Sequence, residues 1–217
     1  KIVDGDPFTD NFRISPTYKT VPIPTIMDFS SDGGFARAIE MCNGVGACRK
    51  RDGTMCPSFQ VTNEEEHSTR GRANALREVI SGGIEGEDLS SKRLYEVMDL
   101  CLACKGCKAE CPSSVDMAKI KAEVMQAHWD SHGTPARARL FGRIAQINRL
   151  SKPFAALVNM SYKSIFIRSL MERFLGVDRR RKLSPLVNET FEDWFRSRPK
   201  GSKSGQGKVL FMNDTFT

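Results

Sequence analysis

The sequence predicts an all-α fold, and three observations carry the prediction. From Phe35 onward, apolar residues recur at the i, i+3, i+4, i+7 spacing that places them on one helix face. The pattern also repeats: Phe35, Ala38, Ile39 and Cys42 have counterparts 59 residues later in Leu94, Val97, Met98 and Cys101. No segment before Val209 alternates with the period of two that marks a half-buried strand. With 217 residues and 40% apolar content, the chain can bury the core of one domain or of two small ones.

Taken in order, residues 1–33 carry Pro7, Pro16, Pro22 and Pro24 and little periodicity. They read as an extended connector from an upstream domain, with no core of their own. The chain starts at Lys1 and stops within "KVLFMNDTFT", which reads as a fragment of something longer. Residues 34–134 form the repeated core, in which each short helix delivers a cysteine, Cys42 or Cys101, to the loop that follows. Each copy then closes with a Cys-Pro pair: Cys56-Pro57, after a seven-residue spacer from Cys48, and Cys111-Pro112, after a three-residue spacer from Cys107. A further helix is expected after each pair. In the first, Ser68 or Thr69 caps and Ala73, Leu76, Val79 and Ile80 face inward. In the second, the inward residues are Met117, Ile120, Val124 and Ala127. The glycine-rich, acidic "SGGIEGED" of residues 81–88 is expected to be an exposed loop. Residues 135–200 continue as a helical extension, with Leu140, Ile144 and Ile147 in one segment and Val158, Tyr162, Phe166, Leu170 and Phe174 at i+4 spacing in the next. Residues 201–217 read as a linker and, from Val209 to Met212, the first strand of a following domain.

All seven cysteines lie between positions 42 and 111, too clustered for packing residues, and their odd number disfavours a disulfide framework. Metal ligation is the better explanation. The run "CLACKGCKAECP", Cys101 to Pro112, has the Cys-x2-Cys-x2-Cys-x3-Cys-Pro spacing of bacterial ferredoxins. There, three cysteines hold one [4Fe–4S] cluster and the fourth ligates the other. Zinc needs four tetrahedral ligands, which Cys101, Cys104, Cys107 and Cys111 could supply, but zinc explains neither the repeat nor the two Cys-Pro pairs.

The other run, "CNGVGAC", has Val45 where the 59-residue offset calls for the counterpart of Cys104. Applying the cross-ligation rule in both directions uses every cysteine. Cys101, Cys104, Cys107 and Cys56 make a four-cysteine site, and Cys42, Cys48 and Cys111 make a three-cysteine site whose vacant corner is Val45. A cube without a ligand at one corner loses that iron and becomes [3Fe–4S]. The alternative is a second [4Fe–4S] cluster with water, hydroxide or another side chain at the open corner.

The blocks "DFSSDGGFARAIEMCNGVGACRK", "GTMCPSF", "HSTRGRANALRE", "CLACKGCKAECPSSVDMAKIKAE" and "VLFMNDTFT" resemble the C-terminal ferredoxin-like region of FAD-linked oxidases. These flavoproteins are similar to D-lactate, glycolate and D-2-hydroxyglutarate dehydrogenases. The resemblance covers nearly the whole chain. It implies an α-helical ferredoxin with a pseudo-repeated two-cluster core and additional C-terminal helices. It also implies an upstream FAD domain that oxidises a 2-hydroxy acid, a downstream cysteine-rich domain, and electron transfer from reduced flavin to an acceptor outside this region. The three-plus-four division is similar to that of the iron–sulfur subunits of succinate dehydrogenase and fumarate reductase.

No dinucleotide fingerprint, P-loop or nucleophile elbow is present, so no catalytic residue is assigned and substrate turnover is not expected of this stretch alone. A competing role is a metal-stapled structural or interaction domain. The formal charge of +7 and "DRRRK" at 178–182 invite a nucleic-acid reading. Two oxidised clusters, each about a dianion, would lower that charge to roughly +3, and aromatics are not interleaved with the basic residues. "DRRRK" is expected to be a solvated helix end or interdomain contact. His67, Arg70 and Arg72 either offset cluster charge or simply cap and solvate a helix, and His128 with His132 reads as a surface pair. The stripe from Phe154 to Leu175 is expected to pack on the cluster domain or a flavin neighbour, with a membrane surface the lesser reading. Trp194 is expected to anchor a terminal helix in a groove. Neither a run of 18 uncharged apolar residues nor an export signal occurs, and a cytoplasmic location is the default expectation.

Overall fold

The computed structural model describes residues 18–84, 86, 88–199 and 210–212. They are helical with no strand among them, as the periodicity predicts. The chain divides into two compact units, Lys1–Gly133 and Thr134–Thr217.

The first unit is built from α1 (Phe35–Glu40), α2 (Pro57–Thr62), α3 (Thr69–Ile80), α4 (Lys92–Asp99), α5 (Gly106–Glu110) and α6 (Met117–His132). Both α3 and α6 pack against α1 and against α4, so the four share one core. The predicted stripes supply it: Ile39, Ala73, Leu76, Met98, Ile120 and Val124 are all fully buried. Side chains start three of these helices, each satisfying an amide that has no partner inside the helix. The Ser68 hydroxyl accepts from the Gly71 N–H at 2.9 Å, the Ser91 hydroxyl from Leu94 at 3.2 Å, and the Asp116 carboxylate from Lys119 at 3.1 Å. A Cβ on Gly71 would run into the Glu65 carbonyl, so the chain enters α3 along one tight path.

Backbone conformation follows the 59-residue offset. The end of α1 at Glu40 corresponds to the end of α4 at Asp99, and the 3-10 turn beginning at Ala47 corresponds to the start of α5 at Gly106. Between them, Gly44 and Gly46 have φ of 81° and 76°, and Ala103 and Lys105 have φ of 52° and 60°. Glycine adopts this left-handed conformation freely, whereas for alanine and lysine it is strained. The loop geometry is therefore imposed on the second copy at some cost.

The last residues of the expected connector belong to this core. Phe29 is buried edge-to-face on Phe35, with ring centroids 5.2 Å apart. The buried Glu123 carboxylate on α6 accepts the N–H groups of Ile26 at 3.1 Å and Met27 at 2.6 Å. Hydrogen bonds to a charged acceptor contribute about 1.5–3 kcal/mol and neutral ones about 1. Glu123→Gln is accordingly expected to cost about 1 kcal/mol and to speed hydrogen exchange at Ile26 and Met27 while leaving the interior of α6 protected. Unchanged exchange at those two amides would remove Glu123 as the anchor. In residues 81–88, Glu85 and Glu87 lie outside the described residues, and the rest forms turns with Ile84 exposed.

The second unit comprises α7 (Ala136–Gly142), α8 (Ile144–Ser151), α9 (Ala155–Lys163), α10 (Ile165–Leu175) and α11 (Phe191–Ser197). The i+4 row from Val158 to Phe174 does not lie on one helix. Ser164 takes an extended conformation (φ −73°, ψ 123°) and separates α9 from α10. Regular spacing marks a face but cannot hold a helix together across a residue that leaves the helical region. The row is also less buried than expected, with Phe166 and Phe174 exposed. Asn159 holds the return segment by accepting from the Leu186 N–H at 2.9 Å and donating to its carbonyl at 2.8 Å. Thr190 and Asp193 form a capping box at α11, and Asp193 also pairs with Lys152. Trp194 is half-exposed and tilted against Phe191, 5.6 Å between centroids, rather than sunk in a groove. Asp178 pairs with Arg180 at 2.7 Å on the solvated surface that "DRRRK" predicts. Of the strand expected from Val209 to Met212, Val209 lies outside the described residues and Leu210–Met212 has no regular structure. No helix among the described residues is long and apolar enough to cross a membrane.

Candidate metal centre

All seven cysteines carry free thiols. Cys42, Cys48, Cys56 and Cys107 are buried in the core of the first unit, with Cys101 and Cys111 packed against it and Cys104 exposed. Reduced cysteines gathered at buried loops fit a metal centre and leave no disulfide framework.

Two helix N-termini face sulfur. At α3, the Thr69 N–H donates to the Cys56 Sγ at 3.1 Å and the Thr69 hydroxyl lies 2.9 Å from the same atom. The next amide, Arg70 N–H, donates to the Cys48 Sγ at 3.3 Å. Cys48 and Cys56 also reach one another, and this hydrogen bond, helped by the Arg70 N–H, pulls the Cys48 thiol down to about 6. Cys56 is pushed the opposite way by Cys48 and by burial. At α6, burial raises the Cys107 thiol while the Met117 N–H opposes the rise. Only Cys48 is thereby favoured as a thiolate, while the amides that begin α3 and α6 are placed to donate to sulfur, an arrangement that suits a sulfur-ligated metal.

The loops add to this. Left-handed residues at Gly44, Gly46, Ala103 and Lys105 create the backbone curvature in which successive N–H groups converge on an anion. The stretch before Cys56 lies against the second run: the Thr54 N–H donates to Glu110 at 2.9 Å, and a Cβ on Gly106 would meet the Thr54 carbonyl at 3.0 Å.

Two arginines of α3 are buried in the same unit. Arg72 is 1% exposed and donates to the Val97 carbonyl (3.0 Å), the His67 carbonyl (2.7 Å) and the Ser58 hydroxyl (3.1 Å). Arg77, also buried, donates to the carbonyls of Glu40 (3.2 Å) and Cys42. Among the described residues, neither guanidinium forms an ion pair with a carboxylate. A buried cation without a counter-ion is expensive, and anionic clusters at these thiols would supply the missing charge. Lys121 on α6 donates to the carbonyls of Asp99 at 3.0 Å and Cys101 at 2.6 Å.

Of the three residues singled out from the sequence, Arg70 touches the site through its amide and pairs with Glu65 at 2.7 Å through its side chain. Arg72 is the buried cation just described. His67 faces away, toward Thr62 at 2.9 Å and the carboxylates of Glu64 and Glu66. His128 stacks between Tyr95 and His132, with centroids 4.3 and 4.2 Å apart, and its Nδ1 meets the Ser90 carbonyl. In the sequence Thr69 reads only as a possible cap, and its place at the start of the helix after a Cys-Pro block is the signal that points to the site. Arg77 carried no signal in the sequence.

Residues 38–115 match the family model described as a 4Fe-4S dicluster domain. The chain is 29% identical over 136 residues to D-2-hydroxyglutarate dehydrogenase of Pseudomonas putida, covering 48% of this chain and 14% of that protein. The corresponding Escherichia coli protein is 25% identical over 172 residues, 63% of this chain and 17% of its own length. The E. coli glycolate oxidase iron-sulfur subunit is 33% identical over 86 residues, 37% of this chain and 19% of the subunit. The chain therefore spans less than a quarter of these relatives. No solved structure matches it. These matches bear out the resemblance to the iron–sulfur region of FAD-linked oxidases and support an iron–sulfur module.

Proposed function

We propose that this chain is the electron-transfer module of a FAD-dependent 2-hydroxy-acid dehydrogenase, relaying electrons from reduced flavin in an upstream domain to an acceptor. The observation that carries the reading is the convergence of buried thiols, helix N-terminal amides and unpaired guanidinium groups in one core. When bound, iron–sulfur clusters supply reversible one-electron chemistry at such thiolates. The chain's own residues do the rest. The amides of Thr69 and Arg70 hold two sulfurs, Arg72 and Arg77 place positive charge in the same core, and the packed helices exclude water.

Cys101, Cys104, Cys107 and Cys56 are assigned to a [4Fe–4S] cluster, and Cys42, Cys48 and Cys111 to a [3Fe–4S] cluster. The packing of Thr54 on Gly106 and Glu110 supports this crossed division, because it carries Cys56 toward the second run. The consecutive amides of Thr69 and Arg70, which bring Cys56 and Cys48 to one helix N-terminus, favour a second reading, in which each run keeps its own Cys-Pro cysteine: Cys42, Cys48 and Cys56 against Cys101, Cys104, Cys107 and Cys111. Both divisions are three plus four. Val45, on the surface of its loop, leaves that corner open to solvent.

Anaerobic reconstitution tests the function. The chain is expected to hold about seven irons, following the ligand rule, and to show visible absorption that dithionite bleaches and oxidant restores. It is expected not to oxidise D-lactate, glycolate or D-2-hydroxyglutarate with a dye acceptor. A colourless zinc-loaded protein would end the electron-transfer reading, and turnover by the flavin-free chain would overturn the division of labour.

A further inference from the structure

We propose that Thr69 is a positioning residue for the cluster ligated by Cys56, and that its side-chain hydroxyl raises that cluster's reduction potential. The inference rests on the iron–sulfur reading above but not on either division of the ligands.

Thr69 opens α3, so its N–H has no acceptor within the helix and is free to serve another group. It donates to the Cys56 Sγ at 3.1 Å, and the hydroxyl of the same residue reaches that sulfur at 2.9 Å. With Cys56 a metal-bound thiolate, which has no proton to give, both groups of this one residue would donate to one ligand atom. The residue cannot readily swing away. It is 3% exposed, the Ser68 hydroxyl fixes the helix start through Gly71, and Gly71 itself lies against the Glu65 carbonyl. Cys56 is equally constrained, with φ of 52° and Pro57 directly after it.

The physical consequence follows from charge. Adding an electron to a cluster makes its ligand sulfurs more negative, and a hydrogen bond to sulfur strengthens as that charge grows. The bond therefore stabilises the reduced state more than the oxidised one. Water cannot replace the donor at a site this buried, so its loss should appear in the potential. The backbone amide cannot be removed by substitution, whereas the hydroxyl can.

The test is an anaerobic potentiometric titration of the iron-loaded chain followed by electron paramagnetic resonance. This reads a three-iron cluster in its oxidised state and a four-iron cluster in its reduced state. Thr69→Val keeps the side-chain shape and removes the hydroxyl. It is expected to make the Cys56-bound cluster about tenfold harder to reduce, which is 59 mV for a one-electron couple, with the other cluster unmoved. Thr69→Ser keeps the hydroxyl and is expected to hold the wild-type potential. A shift confined to the four-iron signal supports both the inference and the crossed division. A shift confined to the three-iron signal supports the inference and the uncrossed division. No shift, or equal shifts in both clusters, overturns it. If Thr69→Val fails to assemble clusters, Thr69→Ser decides: a potential lowered in that variant would show that the methyl group and its packing matter, and the hydroxyl would lose its role. Failure of the wild-type chain to bind iron would instead remove the functional reading.

Discussion

Replacing Arg72 by methionine is expected to destabilise the iron-loaded chain by about 3 kcal/mol, since the buried Val97 carbonyl is left without its donor at about 1–3 kcal/mol and the bonds to the His67 carbonyl and the Ser58 hydroxyl, about 1 kcal/mol each, are lost. Methionine fills much of the space of the arginine stem, so packing alone would not explain such a loss. The acceptors are the Val97 carbonyl near the end of α4, the His67 carbonyl in the turn before α3, and the Ser58 hydroxyl in α2. One side chain thereby ties together the segments that follow Cys56 and precede Cys101. A loss of this size is a large fraction of the about 5–15 kcal/mol that holds a typical domain together. The effect should also depend on iron. Without clusters, the guanidinium is a buried charge with no carboxylate partner, and removing it relieves part of that penalty. Anaerobic urea unfolding of wild type and Arg72→Met, with and without iron, measures both effects. A cost below about 1 kcal/mol, or the same cost in the two forms, would show that Arg72 neither braces the core nor balances cluster charge.

Val45→Cys is expected to raise the iron content from about seven to about eight per chain, adding one ligand to the three-cysteine site. Val45 is 62% exposed on a loop flanked by the left-handed Gly44 and Gly46, so the substitution displaces no core group. Surface changes of this kind usually alter stability by no more than about 0.5 kcal/mol. The new thiol would stand 59 residues before Cys104, at the spacing the second run already uses. The oxidised wild type should show the paramagnetic signal of a three-iron cluster, and the variant should lose it. Val45→Ala should keep it, since neither side chain ligates iron. A wild type silent in its oxidised state with a full iron complement would favour a four-iron cluster whose open corner holds water, which the exposure of Val45 allows. Persistence of the three-iron signal in Val45→Cys would place the vacancy elsewhere.

The all-α class, the four helices of the core and the seven clustered thiols were legible in the sequence alone. Helical periodicity and cysteine spacing are local properties, and each is written within about a dozen consecutive residues. The stripes ending in Cys42 and Cys101, and the inward faces of α3 and α6, follow from that local code and are buried as expected, except that Val79, Cys101 and Ala127 are only partly so. Only the tertiary structure decided that Phe29 and the Glu123-bound segment join the core, that Ser164 interrupts the apolar row, and that Thr69 and Arg70 offer consecutive amides to Cys56 and Cys48. It also decided that Arg72 and Arg77 are buried cations, a role that positively charged residues on a helix do not announce. The physical reason is the distance along the chain between partners. Arg72 meets Val97 across 25 residues, Arg77 meets Cys42 across 35, and Glu123 meets Ile26 across 97. A hydrogen-bond donor or acceptor is the same in sequence whether it faces water or protein, and its partner is chosen only when the helices pack.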